Sequence, residues 1–229
     1  MIFLLVISAL FAGCVGNSSW TAAEWLEQGN RFAKEGLYSQ AVDAYNQSLR
    51  LDALNAKVFT YRGIALQHQG AHNDAMRDFE QAISINPNES AAWQGTAATY
   101  IELGQYRPAI KAADKAIELP QTGDDKIENA YLLRGFALNR LELYDDALLA
   151  FDKAIEIDPK RVDLWQNKAY SLTKMGRFME VLKCYEVMSG IDPHNPEIWS
   201  KKGEIHLALG QINEANEAFS IAKSLIKQN

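Results

Sequence analysis

One pattern of small and large apolar residues returns every 34 residues along most of this chain, and it limits the possible folds more than any other feature. Phe59, Gly63, Leu66, Gly70, Ala75, Phe79, Ala82 and Pro87 mark one copy. Thirty-four residues earlier the same marks hold Trp25, Gly29, Phe32, Gly36, Ala41, Tyr45 and Ser48, with Ala53 in place of the proline. Thirty-four later they hold Trp93, Ala97, Tyr100, Gly104, Ala109 and Ala116, and three further copies are keyed on Gly135, Ala169 and Gly203. Each copy carries apolar residues at helical spacing in both halves: Phe59, Ile64 and Leu66, then Ala75, Phe79, Ala82 and Ile83. Gly70 falls where a first helix ends, and Pro87 prevents a second from continuing. Gly63, Ala75 and Ala82 let two backbones approach closely, and the Phe79 ring fills the space between them. A unit this small cannot bury both its faces, so the copies must stack.

In period and in landmarks these copies resemble the tetratricopeptide repeat family. The resemblance runs over six consecutive copies, residues 22–229. It implies an all-α fold, a right-handed superhelical α-solenoid of six helix-turn-helix repeats. It also implies a concave groove, lined by the first helix of each repeat, that receives a peptide or a partner helix. In this sequence the groove residues so implied are Asn30, Ile64, Leu132, Phe136, Arg140, Tyr170 and Lys174, with Asn139 in a neighbouring column. The partner is then a protein or peptide, and the chain is a non-catalytic scaffold without cofactor or metal. The family's clamp for the C-terminal carboxylate of heat-shock chaperones is poorly matched. Asn30 fits it, but Leu26, Tyr61, Ala91 and Gly95 replace its other residues, and Asn167 with Lys201 is the best match elsewhere.

Departures from the pattern carry their own expectations. The spacing from Ala97 to Gly135 is 38 residues, so the loop after Pro120 is lengthened and the seventh helix starts near Lys126. Asp124, Asp125 and Glu128 lack the spaced oxygen ligands of a calcium loop. Glu142 stands where sibling repeats have glycine, so that turn is expected to be strained. Asn195 and Pro196 read as an N-cap and first helical residue. In the last repeats Val187 and Ile221 occupy a column that holds Gln47, Gln81, Lys115 and Lys153 earlier, which makes the C-terminal end a candidate patch for weak self-association.

The N-terminus is of another kind. No charge precedes Glu24, and Ile2 to Ala12 is an apolar run of signal-peptide length. Leu10-Phe11-Ala12-Gly13-Cys14 resembles a lipoprotein signal, which implies removal of residues 1–13 and a lipid on Cys14. Residues 14–21 then form a short tether, which holds the array at the membrane on the extracytoplasmic side of the cell envelope. Thr21 with Glu24 forms a capping box that opens the first helix. Lipoproteins with such arrays resemble assembly factors of envelope machines, such as those of type IV pili or outer-membrane assembly.

Little remains for chemistry. The net charge of −6 argues against nucleic acid as a partner. Cys184 shares a column with Ala44, Ala112, Ala150 and Ala218, which marks it as packing rather than a nucleophile. His68 and His72 flank Gly70 at a helix end, and His194 and His206 have no ligand partners at metal-binding spacing.

Overall fold

The computed structural model describes residues 20–120 and 126–227. Six antiparallel hairpins follow one another: α1 (Ala22–Lys34) with α2 (Tyr38–Leu51), α3 (Ala56–His68) with α4 (His72–Ile85), and α5 (Ser90–Glu102) with α6 (Tyr106–Glu118). Then come α7 (Ile127–Arg140) with α8 (Tyr144–Ile157), α9 (Val162–Lys174) with α10 (Phe178–Ile191), and α11 (Pro196–Ala208) with α12 (Ile212–Ile226). The described residues contain no strand. Each helix packs on its hairpin partner and each hairpin on the next, so the described residues form an all-α solenoid. No helix among the described residues is long and apolar enough to cross a membrane.

Local chemistry sets the helix ends. Thr21 Oγ1 accepts from the Glu24 backbone N–H, and the Glu24 carboxylate accepts from the Thr21 N–H at 2.7 Å, which completes the expected capping box. The Thr21 N–H and hydroxyl, both donating to the Glu24 carboxylate, hold it below its ordinary pKa. Asn195 caps α11 through the Glu197 N–H, with Pro196 in the first turn as expected. Helix α7 begins at Ile127 with Lys126 as its N-cap, while residues 121–125, which carry the rest of the long-loop expectation, lie outside the described residues. Cys14, where the sequence leads one to expect cleavage and a lipid, lies outside them too.

The turn inside each hairpin is a left-handed cap. Gly70 has φ +75°, its N–H donates to Gln67 O, and the next N–H, of Ala71, reaches back to Leu66 O at 2.9 Å. In the fourth hairpin the same bonds form around Glu142, whose φ is 61°. This is the strain expected from the sequence. A side chain in that region costs about 1–2 kcal/mol, against about 0.5–1 kcal/mol for the extra freedom that glycine has in the unfolded chain. Glu142→Gly is therefore expected to stabilise the array slightly, by about 0.5–1 kcal/mol. A denaturation midpoint at or below that of the wild type would show that the turn carries no such strain.

Bare glycines receive aromatic rings within the hairpins and, once, between them. Phe79 is fully buried, and a Cβ on Gly63 would lie 2.7 Å from its ring. A Cβ on Gly95, in the following repeat, would lie 2.4 Å from it. Gly29 with Tyr45, Gly135 with Phe151 and Gly203 with Phe219 repeat the first of these contacts. The third repeat does without it, because Ala97 meets Ala112 and Ala113 where the other repeats have a ring. Indole N–H groups pin the loops as well: Trp93, Trp165 and Trp199 donate to Pro87, Pro159 and Pro193 carbonyls at 2.8–2.9 Å.

Candidate binding face

The exposed aromatic rings on the described helices, Tyr61, Phe136 and Tyr170, lie on odd-numbered ones. Phe136 on α7 and Tyr170 on α9 are 38% and 47% exposed, whereas Phe151, one helix on from Phe136, is 0% exposed. Two rings of this size left open on adjacent helices are not part of the repeat core. Arg140, one turn beyond Phe136, donates from Nε to the Tyr106 hydroxyl at 3.0 Å, with its guanidinium 5.3 Å from that ring. Lys174 extends back over Tyr170, its Nζ 5.4 Å from the ring centroid. Beneath them Ser171 donates to Asn139 Oδ1 at 2.8 Å, a buried bond that ties α9 to α7. Asn139 is thus a structural link rather than groove lining. The result is a patch of two rings and two cations on a fixed pair of helices.

The other three groove residues lie deeper. Asn30 accepts from the buried Tyr45 hydroxyl at 2.9 Å, a phenol whose pKa burial pushes up to about 12. Ile64 is half-buried against the cluster around Phe79, and Leu132 packs against the clusters around Phe151 and Leu164. Phe136 and Arg140 lie on α7 and Tyr170 and Lys174 on the neighbouring α9, while Asn30 and Ile64 stand nearer the first end of the array. Tyr106 escaped the sequence reading. It begins an even-numbered helix, outside the columns from which the groove was read.

Acid–base and metal chemistry find no footing in the described residues. Cys184 is buried, and loss of hydration raises its thiol pKa to about 11, so it holds its proton. His206 is buried with Nδ1 at 2.7 Å from Gln211 Oε1, and His68 stacks on Tyr38 at 4.4 Å between centroids. No group of three His, Cys, Asp or Glu among the described residues could hold a metal. At the far end Ile212 and Ile226 of α12 are largely exposed, and Val187 is 37% exposed.

A solenoid of helical hairpins with an open aromatic face defines a class of protein, the helical-repeat scaffold. The chain belongs to the tetratricopeptide repeat family, whose profile matches residues 26–90 and 96–162, with related profiles over 66–125 and 150–183. Among curated proteins it is similar to Hsp70-Hsp90 organizing protein 2 of Arabidopsis thaliana, 33% identical over 91 residues, which are 40% of this chain and 15% of that one. It spans no more than 31% of the length of eight such relatives. Among solved structures it resembles PilW, a type IV pilus biogenesis factor, with a TM-score of 0.78 at 16% identity over 88% of this chain and 91% of that one. It also resembles PilF of Pseudomonas aeruginosa, with a TM-score of 0.76 at 13% identity over 86% and 88%. At these identities the two structures speak for the fold alone.

Proposed function

We propose that this protein is an exported, membrane-tethered scaffold that holds a peptide segment or helix of a partner protein across α7 and α9. The observation that carries the reading is the pair of exposed rings, Phe136 and Tyr170, flanked by Arg140 and Lys174. Aromatic residues and arginine are the common energetic anchors of protein interfaces. The cations favour a partner segment with acidic residues, and they act mainly on the rate of encounter and its salt dependence. Truncating Phe136 or Tyr170 to alanine is expected to weaken partner binding by about 2 kcal/mol or more while leaving stability nearly unchanged. A photo-crosslinking residue placed at 170 should capture a partner in the native membrane, whereas one at exposed Leu149 on α8 should not. Equal capture at both positions, or a Phe136→Ala array unfolded as far as Phe151→Ala, would remove the site.

The tether in this proposal is Cys14, carrying lipid after removal of residues 1–13. Two or more acyl chains would anchor the array stably where one would not. Cys14→Ser is expected to release the protein into the soluble fraction or to leave the leader attached. An unmodified Cys14 thiol in the mass spectrum of the native protein would end the lipoprotein reading. A second reading, self-assembly within an envelope machine, draws on the exposed Ile212, Ile226 and Val187. It requires a mass by light scattering that rises with concentration and stops rising in Ile212→Glu.

A further inference from the structure

Between successive even-numbered helices runs a furrow floored by the intervening odd helix, and one side-chain slot recurs in it at four of the five junctions. The slot combines an aromatic ring, a basic residue three positions later on the same odd helix, and a polar or acidic residue on the even helix before it. At the first junction Arg62 lies over Phe59 at 5.3 Å, donates to Asn46 at 2.6 Å and forks onto Asp78 at 2.6 and 2.7 Å. At the third, Arg134 meets Asp114 at 2.7 Å. At the fourth, Lys168 meets Asp152 at 2.5 Å and lies over Trp165 at 5.6 Å. At the fifth, Lys202 lies 5.0 Å over Trp199.

The second junction has every part of the slot except the cation. Trp93 is in place, pinned by its bond to the Pro87 carbonyl, and Glu80 stands on α4 where Asn46, Asp114 and Asp152 stand on their helices. The basic position is Thr96, whose hydroxyl is turned onto the Ala92 carbonyl of its own helix at 2.9 Å. Ala112 also replaces the Asp78 of the junction before. What the missing side chains leave is a cleft of about 730 Å³ with Met76, Ile83, Trp93 and Tyr100 in its walls, against about 470 Å³ in the furrow that Arg62 occupies. Glu80 makes no hydrogen bond or ion pair there. The other acids of the lining are engaged, Asp114 by Arg134 and Glu118 by Lys115 at 2.7 Å.

We propose that this cleft is a docking site for an arginine side chain of a partner protein. The guanidinium would lie over Trp93 and fork onto Glu80, and its methylenes would line the apolar walls. The chain itself supplies the template, since arginine fills the slot at both adjacent junctions, and a planar fork reaches two acceptors where lysine offers a point charge. The site lies on the even-helix face and is independent of the aromatic patch on α7 and α9.

The test uses the full chain and N-acetyl-arginine methylamide as the probe, with the citrulline analogue as its neutral counterpart. The readout is the Trp93 indole N–H resonance, assigned by its loss in Trp93→Phe. The arginine probe is expected to shift this resonance saturably, with the citrulline probe and the Glu80→Gln chain each about tenfold weaker. Thr96→Arg, which refills the slot from within, is expected to abolish the shift and to raise the melting temperature. Equal binding of the two probes would make the cleft merely apolar and overturn the proposal. So would an unchanged affinity in Glu80→Gln, or a Thr96→Arg chain that still binds. Lys111, the other unpaired charge in the lining, is the internal competitor for Glu80. If the probe binds only after Lys111→Ala, the slot is closed from within and the proposal fails.

Discussion

Phe79→Ala is expected to cost the array about 3–5 kcal/mol, the range for removing a fully buried phenylalanine. The upper part of that range applies because of what surrounds the ring. It touches Gly63 in its own repeat and Gly95 in the next, and neither has a side chain that could relax into the vacated volume. The loss therefore falls on the hairpin of α3 and α4 and on its junction with α5 together, and in a stacked array both count. Phe219 provides the internal comparison. Among the described glycines it meets Gly203 alone, in the last described hairpin, and is itself half-buried, so Phe219→Ala is expected to cost distinctly less. Urea denaturation of the two variants decides the matter. Equal losses would mean that Gly95 contributes nothing to holding the Phe79 ring.

Arg62→Ala is expected to be nearly as damaging, at about 3 kcal/mol, and to be largely reversed by a second substitution. The Asp78 side chain is 7% exposed and Arg62 is 22% exposed, so removing the guanidinium leaves a carboxylate in a poorly hydrated furrow without a counter-charge. Most of the cost is that stranded charge rather than a lost attraction. Alanine occupies the column of Asp78 in four other repeats, at Ala44, Ala112, Ala150 and Ala218, so the fold accepts it there. Asp78→Ala alone should cost less, because Arg62 keeps Asn46 and partial access to water. The double variant should recover about 2 kcal/mol relative to Arg62→Ala. Additive losses in the double-mutant cycle would show that the two side chains are not coupled.

Whatever a single column of the repeat decides could be read from the sequence. The hairpins, the glycine–aromatic contacts within repeats, the strained turn at Glu142 and the start of α7 are all of that kind. Contacts between unlike columns were not legible, because a repeat register aligns equivalent positions and does not show which neighbours meet. Gly95 is the clearest case. It is off the small-residue mark of its own repeat, yet it receives the ring of the repeat before. The groove column is uneven for a related reason. Asn30 shares its position with Phe136, but Tyr45 has a hydroxyl that finds its acceptor there, and Phe151, the ring of the repeat that holds Phe136, has none. Arg140 was legible as a charge at the groove border. That Tyr106 would hold it depends on a side-chain direction that no spacing encodes.

The buried thiol on α10 has a consequence for motion. Cys184 is closed off while α10 lies against α9 and α11, and burial raises its pKa, so the thiol stays protonated for as long as that packing holds. An alkylating reagent can thus mark it only while the fifth hairpin has swung away from its neighbours. The rate of marking becomes a clock for that breathing, readable one molecule at a time by mass. Because stacked units hold only to those beside them, the clock should run faster when the last hairpin is loosened than when the first is, and the ratio of the two rates would measure how far along the array a disturbance is felt.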